Sequence, residues 1–188
     1  MEIKLKSCLV RSWRLGDADA IARHANNHKI WLNLRDAFPY PYTVHDAREF
    51  IKSLKDRTPE TTFTIAVNGE AAGSVGFVLR PDVERVSAEI GYWLAEPFWG
   101  RGIATEALVA TTEYAMATHH LTRMYALPFA WNLASCRVLE KAGYTLEARL
   151  RRSAIKNGVI TDQLQYAFVV PETAALTVDD RRPPGIPG

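Results

Sequence analysis

The stretch Tyr92-Trp93-Leu94-Ala95-Glu96-Pro97-Phe98-Trp99-Gly100-Arg101-Gly102-Ile103-Ala104-Thr105-Glu106-Ala107-Leu108 joins three elements in one short run. Its first part is apolar and aromatic, which predicts a β-strand. A turn with two glycines follows, and an alanine-rich pattern then predicts a helix. The first N–H groups of a helix lack internal partners and lie at the positive end of the helix dipole. The stretch therefore predicts a binding site for an anion such as a phosphate or pyrophosphate.

The two glycines of this turn allow a ligand to approach the backbone, because neither has a Cβ. A Walker A loop would need Lys followed by Ser or Thr after the last glycine, whereas Ile103 and Ala104 follow here. A dinucleotide-binding fingerprint would need a third small residue where Thr105 stands. Both patterns match weakly, and a nucleotide-phosphate protein stays open as one interpretation of the turn.

Hydrophobic patterns and turn residues predict the remaining elements. Asn68-Gly69 and Asn157-Gly158 are typical of tight turns between paired strands. The predicted strands cover residues 9–14, 62–67, 71–79, 87–94, 123–127, 145–152 and 162–170. The predicted helices cover residues 18–26, 44–55, 104–118 and 133–141, with a less regular segment at 28–34. The order is one strand, two helices, three strands, a helix, a strand, a helix and two strands.

Three segments resemble one family. The run Trp99–Ala104 is similar to the acyl-CoA pyrophosphate loop of the GNAT superfamily of N-acetyltransferases, Arg/Gln-x-x-Gly-x-Gly/Ala, although Trp99 differs from its first position. The longer run to Leu108 resembles the branch that includes the ribosomal-protein N-terminal alanine and serine acetyltransferases. Residues 33–36 followed by 38–43, and Asn132-x-x-Ser135 followed by 137–144, are similar to two further segments of that branch.

The resemblance extends from about residue 9 to residue 170 and implies an α/β (α+β) fold. We expect a central, mixed and twisted sheet of about six to seven strands flanked by about four helices. Residues 1–171 would form a single acyl-CoA-dependent N-acetyltransferase domain. Residues 172–188 are rich in Pro, Gly and charge, which predicts a flexible C-terminal tail.

The activity implied by the resemblance is transfer of an acetyl group from acetyl-CoA to a primary amine. We expect the amine to attack the thioester directly in a ternary complex, because no Cys–His or Ser–His pair suggests a covalent intermediate. A protein N-terminus and a small-molecule amine make the same chemical demand, so both acceptors remain open. The alternative is a GNAT-fold module that binds acyl-CoA, or regulates, without turnover.

The expected acetyl-CoA site combines the strand end, the turn and a second helix start. Asn132 would cap the helix at 133–141 and also bond the pantetheine arm. Backbone N–H groups near Tyr92 to Leu94 would polarise the thioester carbonyl. The full expected set is Tyr92, Trp93, Leu94, Trp99, Gly100, Arg101, Gly102, Ile103, Ala104, Thr105, Asn132, Ser135 and Arg137.

Two residues are the expected catalytic groups. Glu89 lies on the strand before the turn and would take the proton of the amine. The family typically has a β-bulge in this strand, so simple alternation does not predict the face of the sheet on which Glu89 lies. Ser135, or a water, would protonate the departing thiolate, because the tyrosine that many GNAT enzymes place one turn later is Leu139 here. Asp162 and Glu147 are the fallback acids.

An aromatic and basic group surrounds the Pro39-Tyr40-Pro41 bend, which cannot be helical. We expect it to form the wall of the acceptor pocket, with Trp31, Arg35, Phe38, Tyr40 and Tyr42 as its members.

Composition narrows the class of protein further. The 188 residues are 47% hydrophobic and 23% charged with a net charge of +2, which suits a globular domain and argues against nucleic acid as a partner. No run reaches the roughly 18 apolar residues of a membrane span, so we expect no membrane association. Two cysteines indicate a reducing, cytoplasmic compartment, and no metal-ligand spacing is present. We expect a monomer or homodimer.

Overall fold

The computed structural model describes residues 1–55 and 57–171, so the tail predicted at 172–188 lies outside the described residues. This part of the chain forms eight strands and five α-helices. The strands are β1 (Glu2–Lys4), β2 (Leu9–Arg11), β3 (Thr62–Val67), β4 (Glu70–Leu79), β5 (Ser87–Leu94), β6 (Arg123–Ala126), β7 (Thr145–Lys156) and β8 (Val159–Val169). The helices are α1 (Ala18–Ala25), α2 (His28–Trp31), α3 (Val44–Leu54), α4 (Ile103–His119) and α5 (Leu133–Lys141).

The strands form one mixed sheet in the order β1-β2-β3-β4-β5-β6-β8-β7. All neighbours are antiparallel except β5 and β6, which are parallel. The predicted architecture is confirmed, with one more strand than expected. The addition is β1, whose three residues pair with β2 and are too few to show alternation in the sequence.

The pair β5–β6 separates soon after it starts. Its parallel pairing covers only Ser87–Glu89 against Arg123–Tyr125, whereas β5 stays paired with β4 as far as Leu94. Pro128 lies just beyond β6 and has no N–H with which to extend the ladder. A gap therefore opens in the sheet beside the second half of β5.

The two faces of the sheet carry separate cores. Ile90 and Leu94 of β5 pack with α4 and α5 on one face. Trp93 packs against the cluster formed by α1 and α3 on the other. Because successive side chains of a strand point to opposite faces, β5 contacts both layers.

Close approach of the neighbouring chain requires glycine at two positions of β4, Gly73 and Gly76. A Cβ on Gly73 would lie 2.4 Å from the carbonyl oxygen of Trp93, and one on Gly76 would lie 2.8 Å from that of Thr61. Both distances are far below van der Waals contact. These glycines let β5 and the chain before β3 lie tightly against β4.

One polar interaction stabilises the start of α3, and another attaches α1 to the sheet. Thr43 caps α3 in a reciprocal box with Asp46. Asp17, just before α1, forms a bidentate ion pair with Arg11 of β2, at 2.7 and 2.8 Å. Both of these side chains are almost fully buried, so the pair ties the start of α1 to the sheet.

The two cysteines are free thiols in separate parts of the core. Cys8 lies just before β2, and Cys136 lies in α5. Burial, with a smaller contribution from the charge of Glu106, raises the pKa of Cys8 to about 11. Burial also raises the pKa of Cys136.

Candidate active site

The turn between β5 and α4 has the backbone that its glycines predict. Gly100 and Gly102 adopt φ values of 73° and 78°, a region that disfavours side chains. No atom would lie within 4 Å of a Cβ added to either residue, so the space above the turn is open. No side chain within the described ranges caps α4, whose first N–H groups stay available to an anion.

Neighbouring side chains hold the turn from outside. Trp99 donates its indole N–H to the carbonyl oxygen of Leu94 at 2.6 Å. The guanidinium of Arg101 lies 5.7 Å from the centre of the Phe98 ring. Glu106 accepts hydrogen bonds from the backbone and hydroxyl of Ser7, at 3.0 and 2.9 Å, and so serves to attach α4 to the β1–β2 turn.

The gap beside β5 is lined by backbone donors. Ala95 donates to Ala72 on β4, and Ser87 accepts from Arg80 beside it, so the odd-numbered residues of β5 bond to β4. In an antiparallel pair, the even-numbered residues then direct their N–H groups to the side of β5 that faces away from β4. The N–H groups of Tyr92 and Leu94 therefore face the gap.

Helix α5 starts on the far side of the gap. The Asn132 side chain accepts a hydrogen bond from the Ser135 N–H at 3.1 Å, which confirms the predicted cap and leaves the Asn132 amide NH₂ group for other partners. The Ser135 hydroxyl lies 2.8 Å from the Tyr92 hydroxyl. Leu139 is fully buried in the core, and Arg137 is exposed.

Glu89 lies on the face of β5 opposite to Tyr92, directed toward the α2–α3 loop. The two strands β4 and β5 pair without a register shift, so the bulge expected on β5 is absent from this pairing and the facing of Glu89 follows simple alternation. Its carboxylate forms ion pairs with Arg35 and, at 3.2 Å, with Arg80. The Arg80 Nε also donates to the Tyr125 hydroxyl at 2.6 Å.

The two fallback acids are each bound to arginine. Glu147 on β7 pairs with Arg123, whose hydrogen bonds lower the pKa of this carboxyl below its usual range. Asp162 on β8 accepts from the backbone N–H of Arg152 and from the Arg149 side chain, at 2.8 and 2.6 Å. These contacts likewise lower the pKa of Asp162.

The predicted acceptor residues separate into three environments. Trp31, Phe38 and Tyr40 line one open cavity of about 520 Å³ together with the Asn157-Gly158 turn. Arg35 lies at Glu89 instead. Tyr42 is buried behind Phe38, with ring centres 4.8 Å apart, and so supports the cavity wall without lining it.

Several residues at this site had no signal in the sequence. Lys156, at the end of β7, is fully buried with its Nζ 3.9 Å from the centre of the Trp31 ring and 2.8 Å from Asp36. Arg80, just after β4, pairs with Glu89 and is itself bonded to Tyr125 of β6. The contacts of Lys156 with Trp31 and of Arg80 with Tyr125 join residues far apart in the chain, which local spacing does not reveal.

Neither a metal-binding cluster nor a membrane-spanning helix is found in the described ranges. No three His, Cys, Asp or Glu side chains there are grouped to hold a metal ion. None of the helices in that part of the chain is long and apolar enough to cross a membrane.

The glycine turn, the gap beside β5 and the cap at Asn132 together define the site, and most of the chain matches a known family. The family model for the acetyltransferase (GNAT) domain matches residues 8–145. The chain belongs to the GNAT acetyltransferase family. It is therefore an acetyltransferase whose acyl donor is acetyl-CoA.

Relatives of this acetyltransferase cover most of its length. It is 28% identical over 173 residues to the uncharacterized N-acetyltransferase p20 of Bacillus licheniformis, covering 88% of this chain and 94% of that one. It is 28% identical over 147 residues to the ribosomal-protein-serine acetyltransferase of Escherichia coli, covering 76% and 82%. A solved structure of RimL, a ribosomal L7/L12 α-N-protein acetyltransferase in complex with coenzyme A, superposes with a TM-score of 0.78 at 25% identity, covering 90% and 98%.

Proposed function

We propose that this acetyltransferase modifies the α-amine of a peptide or protein chain. The observation that supports this acceptor is the pairing of the acids: Glu89, Glu147 and Asp162 are each bonded to at least one arginine. A polyamine carries several positive charges, and its binding requires carboxylates that are free to pair with them. A chain terminus brings one amine and needs one carboxylate.

Two of the relatives described above support the same acceptor class. The Escherichia coli protein is named for a ribosomal-protein serine, and RimL is described as an α-N-protein acetyltransferase. The cavity beside the α2–α3 loop is open and has three aromatic residues in its wall, Trp31, Phe38 and Tyr40, which suits the side chains that follow a free N-terminus.

The proposed donor site follows the gap. The pyrophosphate of acetyl-CoA lies on the turn at Gly100–Gly102 and the start of α4, with Arg101 beside it. The pantetheine arm passes between β5 and α5, where Asn132 offers its amide NH₂. The thioester carbonyl accepts hydrogen bonds from the N–H groups of Tyr92 and Leu94, which stabilise the oxyanion as it forms.

The proposed reaction is direct attack by the amine. An alkylammonium has no lone pair, so Glu89 accepts a proton from it as Arg35, which is largely exposed, moves aside. The amine nitrogen then bonds to the carbonyl carbon, the C–S bond breaks, and the electron pair leaves on sulfur. The amide nitrogen loses its remaining extra proton to water, and the thiolate departs beside Ser135.

The organisation around this site is also proposed. Residues 1–171 form one catalytic domain, since a single sheet contains every strand of the described ranges. The enzyme works as a monomer or homodimer in the cytoplasm.

Release of CoA with matched acceptors tests this function. The panel contains a peptide with a free N-terminal serine or alanine, the same peptide with a blocked N-terminus, and spermidine. We expect turnover with the free peptide alone. Equal or faster turnover with spermidine would contradict the acceptor class. Calorimetric binding of acetyl-CoA without CoA release for any amine would instead favour a module without turnover.

A further inference from the structure

The contact between Tyr92 and Ser135 joins the two sides of the gap. Tyr92 belongs to β5, and Ser135 lies in the first turn of α5. Their hydroxyl oxygens are 2.8 Å apart, and the Tyr92 hydroxyl has a second, longer contact of 3.2 Å in which it donates to the Ser135 carbonyl oxygen. Both side chains are largely removed from solvent.

We infer that Tyr92 is a positioning residue, which directs the Ser135 hydroxyl hydrogen toward the sulfur of CoA. This inference rests on the proposed function, in which the thiolate leaves beside Ser135. Leu139 has no hydroxyl, so the hydroxyl pair at Tyr92 and Ser135 takes over the stabilisation of the thiolate. No covalent step is added: the sulfur keeps its electron pair and takes a proton from solvent on release.

The direction of the hydrogen bonds follows from what each group can donate. A hydroxyl has one hydrogen and two lone pairs, whereas a thiolate only accepts. With a thiolate beside it, Ser135 donates to sulfur, and its oxygen is then free to accept from Tyr92. Each bond polarises the next, so the serine becomes a better donor than it would be alone.

Tyr92 is suited to stay a donor. Burial raises the pKa of its phenol far above the usual range, in spite of the opposing hydrogen bond to Ser135. The phenol therefore keeps its hydrogen across the working pH range. Without Tyr92, a serine in the first turn of a helix can turn its hydroxyl to its own backbone instead.

The chain contains a matched control. Tyr144 is also buried, its pKa is raised to about 12 by burial, and its hydroxyl lies 2.7 Å from the Thr112 hydroxyl. Tyr144→Phe removes the same kind of bond from the same core, but this bond is made to Thr112 of α4 and not to Ser135. Tyr92→Phe, Ser135→Ala and the double variant form a cycle that isolates the coupling between the two residues.

Steady-state kinetics give the first measurement. We expect Tyr92→Phe and Ser135→Ala each to lower kcat about tenfold, as loss of one hydrogen bond to a charged group would, with the acetyl-CoA KM unchanged. The double variant should be no slower than the slower single variant, and Tyr144→Phe should match the wild type. The inference about Tyr92 would be overturned if the losses were additive in the double variant, or if Tyr92→Phe kept the wild-type kcat while Ser135→Ala was slow. Either result would leave the proposed role of Ser135 intact. A wild-type kcat for Ser135→Ala would overturn the proposed role of Ser135 as well.

The pKa of the bound CoA thiol gives a second measurement that does not depend on turnover. The ultraviolet absorbance of the thiolate is titrated in the enzyme–CoA complex, with desulfo-CoA as the blank. A donor to sulfur favours the thiolate, so the wild type should lower the thiol pKa below its free value of about 8.5. Tyr92→Phe and Ser135→Ala should both raise it again by about one unit, and Tyr144→Phe should not. An unchanged thiol pKa in Tyr92→Phe would contradict the inference.

Discussion

Glu89 is a carboxylate held between two guanidinium groups that come from different parts of the chain. Arg80 lies nine residues before it, and Arg35 comes from the α2–α3 loop. Arg80 is also fixed by Tyr125, whereas the side chain of Arg35 is 71% exposed. One partner is therefore rigid and the other can be displaced by an incoming amine.

Replacement of Glu89 by Gln should remove the proton acceptor and keep its shape. We expect activity to fall by about 10²–10⁴. The ascending limb of the pH–rate profile should move to the ionisation of the acceptor itself, about 7.7–8 for an α-amine, because the amine must then lose its proton in solution. Rates measured with a peptide acceptor across this pH range provide the check.

Glu147→Gln and Asp162→Asn are the controls for Glu89→Gln. Both acids belong to arginine pairs on β7 and β8, and both variants should keep most of the wild-type activity. A Glu89→Gln enzyme with the wild-type pH profile, or a larger loss in either control, would assign proton transfer to another group.

The role of a residue near the site was predictable from the sequence where it depended on a pattern of neighbouring residues. Asn132 before a helical pattern predicts a cap, and it forms one. Asp17 has the same pattern before α1 but bonds to Arg11, because burial of an arginine on β2 requires a partner more than a helix start requires a cap. The surroundings of Glu89 depend on strand pairing across the sheet, which no local spacing contains.

At the scale of elements, the turn between β5 and α4 determines where a donor can bind. Gly102 has φ of 78°, and Gly69, in the β3–β4 hairpin, has φ of 83°. A Cβ on either residue would meet no atom within 4 Å. The two glycines therefore have the same backbone conformation and equally open surroundings, and only Gly102 lies at the proposed pyrophosphate site.

Gly102→Ala should lower both stability and donor affinity, whereas Gly69→Ala should lower stability alone. Each alanine adopts a left-handed backbone at a cost of about 1–2 kcal/mol. Only the methyl group at Gly102 would enter the space assigned to the pyrophosphate, so we expect acetyl-CoA to bind about tenfold more weakly. Calorimetric titration of both variants distinguishes the effects, and equal affinities would refute the placement of the pyrophosphate.

Element boundaries were most predictable where turn chemistry marks both ends. The predicted bounds of β3, β5 and α5 agree with the structure, and Asn157-Gly158 makes the expected turn. β7 and β8 extend further toward that turn than predicted. Their pairing is irregular between Leu150 and Ala154, which interrupts the alternation that marks a strand in the sequence.

At the scale of the whole molecule, the Arg11–Asp17 pair couples the sheet to the helical layer that carries the acceptor loop. Burial opposes ionisation of Asp17, but hydrogen bonds from Arg11 and Arg14 outweigh it and lower the pKa of this carboxyl. The folded pKa lies below the unfolded value of about 3.9. The stabilisation is therefore fully present above that value and is lost as the pH falls through the folded pKa.

Asp17→Asn should destabilise the fold by about 3–5 kcal/mol at neutral pH, because it leaves the Arg11 charge buried without a counterion. The loss should shrink as the pH falls into the acid range, where the wild type loses the same interaction. Urea unfolding midpoints at several pH values measure both effects. Glu49→Gln, which breaks the exposed pair with Lys52, should leave the midpoint nearly unchanged, and an equally small effect of Asp17→Asn would be inconsistent with this role.

Because Cys8 and Cys136 are buried, we expect neither thiol of the native enzyme to react with thiol reagents, which attack an exposed thiolate. CoA released during turnover carries a free thiol, so colour development with such a reagent follows product without a protein background. Under mild denaturant the same thiols become internal reporters. The rate at which Cys8 is modified reports the opening of the sheet edge at β1–β2, and the rate for Cys136 reports the opening of α5. Mass spectrometry of the modified protein therefore shows which region opens first.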